Sequence, residues 1–355
     1  MKTRIACLAV VVFAVTNIYA QQRPYYTQYI LNNYIINPAV AGIENYWDAK
    51  VSSRLQWVGL DGAPVTTYFT IQGPLTKSAY PAENPTSFHP SGENPRGEAY
   101  WNEYQKADPH VGLGFDFVKD QTGPLSNTYA HATVAYHLGV APRTSLAGGI
   151  SIGFNQVTLN ADQLHFADGS TDPAVSGSGI LNKIRPDISA GLWLYSRDYF
   201  IGVSAQQIVP QPLTFASSST NITVNSNGTA DTTTIKQTGQ LVPHIFVSAG
   251  YRFLLSEDFN LLPSVQFRYI TPLPLGFDVN VKLQYQDIIW GGFSCRYQDG
   301  YSVMLGVNLS HTLNIGYSYD YTTSELNAVS GGSHEFLLGF LIGNKYGDWC
   351  PRSLW

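Results

Sequence analysis

Phe277-Asp-Val-Asn-Val-Lys-Leu-Gln-Tyr-Gln286 alternates without a break between an apolar or aromatic side chain and a polar one. Successive side chains of a β-strand point to opposite faces, so this stretch predicts a strand with one oily face and one strongly polar face. Three neighbouring stretches repeat the alternation, at 264–269, 301–310 and 314–321. The region from Leu241 to Ile342 is therefore predicted to be a run of two-faced strands.

Two architectures produce such strands, and composition helps to separate them. A soluble sandwich packs its oily faces together, whereas a transmembrane barrel turns them to lipid and keeps polar side chains in its lumen. The chain has 13% charged residues, about half of the ~25% that is usual in soluble domains. Its 23 Tyr and 32 Gly suit aromatic girdles and tight turns. Composition thus favours the barrel.

The N-terminus has the pattern of a secretory signal. Lys2 and Arg4 precede a short apolar run from Ile5 to Val15, and Ala20 precedes a predicted cleavage site, so residues 1–20 are expected to be a signal peptide. No later segment approaches the ~20 apolar residues that a membrane helix needs. Export and two-faced strands together predict an integral protein of a bacterial outer membrane, with lipid as its surroundings.

The predicted fold is all-β: a transmembrane antiparallel β-barrel of about 14 strands. Residues 21–44 are expected to be an irregular lead-in at the barrel mouth, 45–343 the barrel, and 344–355 a periplasmic tail. With both termini in the periplasm, strand parity places five short turns on that side and the long connections 159–184 and 210–240 outside. Such asymmetry is typical of outer-membrane barrels. The long connection 74–109 is the exception, because parity places it in the periplasm.

Charged side chains collect on the predicted lumen face. A transport path or an active site would need such residues, but they are spread over many strands and form no group of nucleophile, base and orienting residue. We therefore interpret them as a hydrogen-bonded network, and predict no enzyme activity, no cofactor and no metal. His131 and His137 lie about 20 Å apart by strand rise, too far to share a zinc ion. The lumen-facing set comprises Asp48, Lys50, Arg54, Arg252, Arg268, Asp278, Lys282, Arg296, Asp320 and Glu335.

Three aromatic residues in the 74–109 connection form a candidate partner-binding loop: Tyr100, Trp101 and Tyr104. Exposed aromatic side chains beside polar residues are common interface anchors. The alternative is that these rings pack the connection onto the barrel rim, and the sequence does not separate the two.

Five short motifs, in order along the chain, resemble those of the PorP/SprF family. The resemblance extends over essentially the whole mature chain. The motifs are Tyr26-Thr-Gln-Tyr-Ile-Leu-Asn with Ile36-Asn-Pro-Ala-Val-Ala-Gly42; Gln56-Trp-Val-Gly-Leu-Asp-Gly-Ala-Pro64; Gly112-Leu-Gly with Lys119-Asp-Gln-Thr-Gly123; Tyr317-Ser-Tyr-Asp-Tyr-Thr-Thr-Ser-Glu325; and Gly332-Ser-His-Glu-Phe336.

The resemblance implies an outer-membrane barrel of the type IX secretion system of the Bacteroidota. Members of the family support export or surface attachment of large gliding adhesins through the adhesins' C-terminal domains, and others are linked to periplasmic parts of the machine. The expected partners are therefore type IX components and an adhesin C-terminal domain. A net charge of -5 gives no case for nucleic acid. A passive outer-membrane channel for small solutes is the alternative.

Overall fold

The computed structural model describes residues 24, 26–76, 97, 104, 106–164, 179–210, 219–224, 230–235, 242–271 and 273–344. Strands dominate these residues, and the helical elements are short 3₁₀ turns at Thr27–Leu31, Asn33–Ile35, Pro38–Val40, Ala161–Gln163 and Glu325–Ala328. None of these described turns has the length and hydropathy to cross a membrane. The strands are β1 Trp47–Leu55, β2 Val65–Pro74, β3 His110–Thr122, β4 Leu125–Ala141, β5 Thr144–Asn160, β6 Ile180–Ser196, β7 Tyr199–Gln206, β8 Ser219–Val224, β9 Ala230–Ile235, β10 His244–Tyr251, β11 Phe253–Ser256, β12 Phe259–Ile270, β13 Gly276–Tyr285, β14 Ile289–Arg296, β15 Gly300–Ser310, β16 Leu313–Thr322 and β17 Ser333–Ile342.

The sheet closes on itself. Strand β1 pairs antiparallel with β2 on one side and with β17 on the other, and β10 joins β7 to β12. Strands β10 and β11 both pair with β12 and occupy one position in the wall, interrupted only at Arg252. The described wall is thus a closed barrel of 14 antiparallel strands, which confirms the predicted fold class and strand number.

Burial in this barrel is the reverse of that in a soluble protein. On β13 the apolar Val279 and Leu283 are 44% and 42% exposed, whereas Asn280 and Lys282 between them are 1% and 2% exposed. On this strand apolar side chains therefore face outward and polar ones inward, as a lipid-facing barrel requires.

The two ends of the barrel differ. The short-turn end, where β1 begins and β17 ends, carries the two-residue turns 142–143, 197–198, 257–258 and 311–312, the turn 286–288 and the long connection 75–109. The loop-rich end carries the longer connections 161–179 and 207–243, and the hairpin β8–β9 lies within the second of them. The strand order thus groups the short turns at one end and the two long connections 161–179 and 207–243 at the other, as predicted.

Several strands are longer than predicted. Strands β4, β5 and β6 each have 17 residues, and β6 begins at Ile180, inside the stretch 159–184 that was expected to be a loop. The alternation of apolar side chains ends before the backbone pairing of the strands does. The pairing continues through polar residues such as Ser126, which pairs with Thr158. Apolar alternation marks the lipid-facing part of a strand and leaves out its extension beyond that part.

The N-terminal segment lies inside the barrel, deeper than the mouth position predicted for it. Of residues 27–46 nearly all are buried, and they contact strands on every side of the wall. We call residues 27–46 the plug.

The first and last described residues lie at opposite ends of the barrel. Pro24 lines a small cavity with His244 and Ile270 at the loop-rich end, whereas Asn344 donates a hydrogen bond to the carbonyl of His311 in a short turn. The chain therefore runs down the lumen before it enters the wall at Trp47.

Candidate functional site

The plug is fixed at the loop-rich end by a buried ion cluster. The guanidinium of Arg54 contacts Asp320 at 2.6 Å and Glu335 at 3.4 Å, and it donates a 2.8 Å hydrogen bond to the hydroxyl of Thr27. Thr27 in turn donates its N–H to Glu335 at 2.8 Å and its hydroxyl to Asp320 at 2.7 Å. Gln28 adds a 2.8 Å bond to the Glu335 carbonyl. We call Thr27, Arg54, Asp320 and Glu335 the lock.

Further down the lumen, polar side chains bind the plug to other strands of the wall. The amide of Asn37 donates to the carbonyls of Leu192 at 3.0 Å and Val203 at 3.2 Å, which face each other across β6 and β7. Asn280 of β13, which β10 and β12 separate from β7, donates to the hydroxyl of Tyr29 at 2.6 Å. The lock bonds the same segment to β16, which lies opposite β6 in the 14-strand wall, so the plug spans the lumen.

Further bonds distribute this attachment around the barrel. The carbonyls of the plug accept from Ser204 and Gln206 of β7, and the plug side chains reach β2 and β4. The last two bonds join Asn32 to Thr70 at 2.9 Å and Tyr34 to Thr133 at 2.8 Å.

Glycines in the wall make room for the plug backbone. A Cβ on Gly112 would lie 1.8 Å from the carbonyl oxygen of Ala41, and one on Gly149 would lie 2.6 Å from the backbone of Pro38 and Ala39. At Gly316 a Cβ would meet the Gln28 amide oxygen at 2.3 Å. Close approach of two backbones requires glycine, so the wall is shaped for this segment.

The plug leaves the lumen at the short-turn end beside two stacked histidines. His137 contacts the carbonyl of Ala41 at 2.8 Å, and His110 contacts that of Gly42 at 2.9 Å. The two imidazole rings stack with centroids 4.6 Å apart. These contacts fix the point where the chain turns back into β1.

The charged residues predicted to face the lumen form separate groups. Nine of the ten are buried, and Arg268 is half-buried beside the Pro24 cavity. Beyond the lock, Lys50 pairs with Asp48, Lys282 lies 5.1 Å from the Trp290 ring centroid, and Arg252 donates to the Arg197 carbonyl. Arg296 contacts Asp278 at 3.4 Å and Asp299 at 2.8 Å.

The two histidines weighed as metal ligands have unrelated partners. His131 lies between the carboxylates of Asp116 and Asp187, at 2.8 and 3.1 Å from opposite ring nitrogens, whereas His137 contacts the plug. No group of three or more potential metal-binding side chains occurs among the described residues.

A polar cavity of about 90 Å³ remains between the plug and the wall at the short-turn end. Its lining includes Asp48, Lys282, Gln284 and Asn314. A space of this size holds several water molecules and is small beside a ligand pocket of a few hundred Å³.

The candidate partner-binding loop is only partly described. Tyr104 is 2% exposed, which favours the alternative reading of a packed ring for this residue. Tyr100 and Trp101 lie outside the described residues.

Sequence patterning did not identify the plug residues as lumen contacts. Thr27, Tyr34 and Asn37 follow no strand or helix periodicity, because a segment surrounded by wall is buried on all sides. The available signal was the motif pattern: the first resembling motif supplies Thr27 and Gln28, and the last two supply Asp320 and Glu335, their partners in the structure.

Other motifs also meet in space. Gly62 accepts a 2.9 Å backbone bond from Gly123, and Val58 donates one of 2.9 Å to Gly332. Gly112 packs on Ala41. The motifs thus build the plug, its seat and the neighbouring loop-rich rim.

Comparison with solved structures finds two transporters and an outer-membrane protein at low similarity. The toluene transporter TbuX of Ralstonia pickettii has a TM-score of 0.43 and 12% identity, over 86% of this chain and 92% of its own. The P. putida toluene transporter TodX has 0.46 and 9%, over 87% and 93%, and the Acinetobacter baumannii protein Omp33 has 0.43 and 8%, over 85% and 100%. Likeness at this level carries no argument about function. A search of curated proteins finds no match.

The family comparison is decisive where these structural likenesses are weak. The model of the family described as type IX secretion system membrane protein PorP/SprF matches residues 18–340. That range contains the plug, the lock, the first 13 wall strands and most of the last one. This chain therefore belongs to the PorP/SprF family of type IX secretion system membrane proteins.

Proposed function

We propose that this chain is an outer-membrane component of the type IX secretion system that supports export or surface anchoring of large adhesin-like proteins. In this proposal it acts as a docking body rather than as a conduit. The observation that carries this choice is the occupied lumen, because the plug is bonded to β6 and to β16 on the opposite side of the barrel, and the described residues leave a cavity of only about 90 Å³ at the short-turn end.

Displacement of the plug would be costly, which supports a fixed rather than a gated interior. Removing Thr27 from the lock would leave two buried carboxylates with fewer hydrogen-bond donors. A buried polar group that loses its partner costs about 1–3 kcal/mol, and more if it is charged. Several such groups would lose partners at once if the plug moved out.

The docking surface is proposed at the short-turn end, on the 75–109 connection. We assign this end to the periplasm because most of its turns are short, as in outer-membrane barrels. Other type IX components and a secreted adhesin's C-terminal domain would be encountered there before export. Tyr100 and Trp101 supply the aromatic side chains of the proposed contact, while Tyr104 anchors the connection to the barrel.

The test removes the proposed contact and keeps its anchor. Deletion of residues 83–102 leaves Tyr104 and the segment that follows it, and a matched deletion of residues 168–176 shortens a connection at the opposite end. The first deletion is expected to reduce surface display of the cognate adhesin or release it into the medium, and the second to leave display unchanged. Unchanged display and unchanged co-purified partners after the first deletion would show that the connection is not the docking surface.

Deletion of the whole gene tests the assignment itself. Loss of display or attachment of at least one type IX substrate is expected, with the other outer-membrane proteins unaffected. Normal export and attachment of every type IX substrate would refute the proposed function.

A further inference from the structure

The barrel closes where its first strand meets its last. Nine residue pairs join β1 to β17, from Trp47 with Ile342 to Leu55 with His334. We call this pairing the seam. Among the described wall strands these two are the farthest apart in sequence, so their pairing has the largest cost in loop-closure entropy. A third segment that binds both strands would lower that cost.

The lock lies on the seam. Arg54 of β1 and Glu335 of β17 are paired directly across it, and Asp320 lies on the neighbouring strand β16. The hydroxyl of Thr27 accepts a hydrogen bond from Arg54 and donates one to Asp320. The N–H of Thr27 donates to Glu335. One plug residue is thus bonded to both sides of the seam.

Closure of the seam without the plug would be unfavourable at this point. It brings two carboxylates to one guanidinium at a site where Glu335 is 0% and Asp320 is 6% exposed. Like charges that share a buried site repel each other, and a buried carboxylate needs hydrogen-bond donors. Thr27 supplies one donor to each carboxylate. The closed seam is therefore more stable with the plug in place.

Entry of the plug into a barrel that had already closed would require threading. The plug joins the wall at Trp47 at the short-turn end, whereas Pro24 lies at the loop-rich end. The chain ahead of Trp47 would have to pass along the whole lumen, together with the bulky side chains of Tyr29 and Tyr34. The fit leaves little clearance, since a Cβ on Gly112 would lie 1.8 Å from the plug backbone. Closure of the wall around the plug avoids this passage.

We propose that the plug is the template on which the barrel closes. Residues 27–46 lie on the still open sheet before β1 and β17 pair, and Thr27 then bridges the two strands as they meet. Bonds away from the seam, such as those of Asn37 to β6 and β7, hold the plug on the open sheet. This role concerns assembly, so it goes beyond the proposed secretion function and does not depend on it.

The order of events in wild type tests the template directly. The full-length chain is refolded from urea into detergent micelles, and closed barrel is measured as the compact band in gels run without heating. Short pulses of deuterium at the same times measure protection of the amides of residues 28–46. The plug amides are expected to gain protection before the closed band appears or together with it. A closed band that forms while these amides still exchange freely overturns the proposal.

Point variants test the same order through rates. Thr27→Val removes the hydroxyl that links Arg54 to Asp320, and it is expected to slow closure about five- to tenfold, as for the loss of one hydrogen bond to a charged group. Gly149→Ala, which crowds the plug backbone, should also slow closure. Gly148→Ala adds the same methyl group to the adjacent position away from the plug and should close at the wild-type rate.

Late entry of the plug predicts a different result. Interactions that form only after the rate-limiting step change the unfolding rate and leave the folding rate unaltered. Wild-type closure rates for both Thr27→Val and Gly149→Ala, with faster unfolding, would therefore overturn the template. The wild-type pulse series decides the question even if a variant fails to fold. Adhesin display plays no part in either measurement, so a failure of the docking proposal is seen separately.

Discussion

The wall positions that face the plug need glycine for steric reasons. The adjacent residues Gly148 and Gly149 allow a matched test of this requirement. Gly149 faces the lumen, where a Cβ would lie 2.6 Å from the plug backbone, whereas the nearest atom to a Cβ on Gly148 is Leu192 Cδ2 at 3.5 Å. We expect Gly149→Ala to lower the free energy of unfolding by about 1–3 kcal/mol, the usual cost of overpacking. Gly148→Ala should change it little, and equal effects in urea unfolding would show that the plug does not lie on this wall.

The lock makes a second prediction at the scale of single residues. Arg54→Met removes the cation that neutralises Asp320 and Glu335 and leaves their buried charges unpaired, which costs about 3–5 kcal/mol. Arg197→Met is the control, because its ion pair with Asp198 is 21% and 19% exposed and such pairs contribute about 1 kcal/mol or less. Similar losses of stability for the two variants would contradict the lock as the main polar anchor of the plug.

Individual lumen residues could be predicted from alternation, but their partners could not. Asp320 and Glu335 fall on the polar faces of their strands, and the structure buries both. Their shared contact with Arg54 depends on pairing of the last strand with the first, and their contact with Thr27 depends on a segment without periodicity. The burial of Tyr104 could not be predicted, because an aromatic residue between polar neighbours has the same pattern whether it packs or stands free.

At the scale of elements, the strands were predictable because one physical requirement governs them all. Each wall strand places apolar side chains toward lipid and polar ones inward, which gives a period of two that the sequence displays. The plug was not predictable in the same way. Its short 3₁₀ turns are buried all round, so no face distinguishes itself, and only Asn37-Pro38 and Gly42 mark breaks in the chain.

Strand β13 provides the direct test of which face meets lipid. Val281→Arg puts a charge into the bilayer, which costs about 2–4 kcal/mol near the midplane of a barrel, and should strongly impair assembly. Lys282→Ala, one residue further, removes a lumen side chain that lies over Trp290 and should have the smaller effect. Equal folding yields into lipid vesicles would contradict the lipid-facing assignment.

For the whole molecule, the asymmetry of the two ends predicts its orientation in the membrane. The connections 161–179 and 207–243 share the loop-rich end, and the last described residues share the other. Epitope tags in either long connection are expected to be detected on intact cells, whereas a tag after Arg352 should be detected only after lysis. Detection of the C-terminal tag on intact cells would invert the orientation and move the proposed docking surface outside.

The proposed docking role depends on a lumen that the plug fills. Two functions were compatible with the sequence, a secretion component and a passive channel for small solutes, and they differ in whether the lumen conducts. The plug contacts β6 and the opposite strand β16, and it leaves a cavity of about 90 Å³ at the short-turn end.

Single-channel conductance of the purified wild-type barrel in a planar bilayer tests this claim most directly. The occupied lumen predicts no steady open-pore current over the voltage range in which the bilayer is stable. A steady ohmic current from each inserted wild-type molecule would contradict the account and support the passive channel instead.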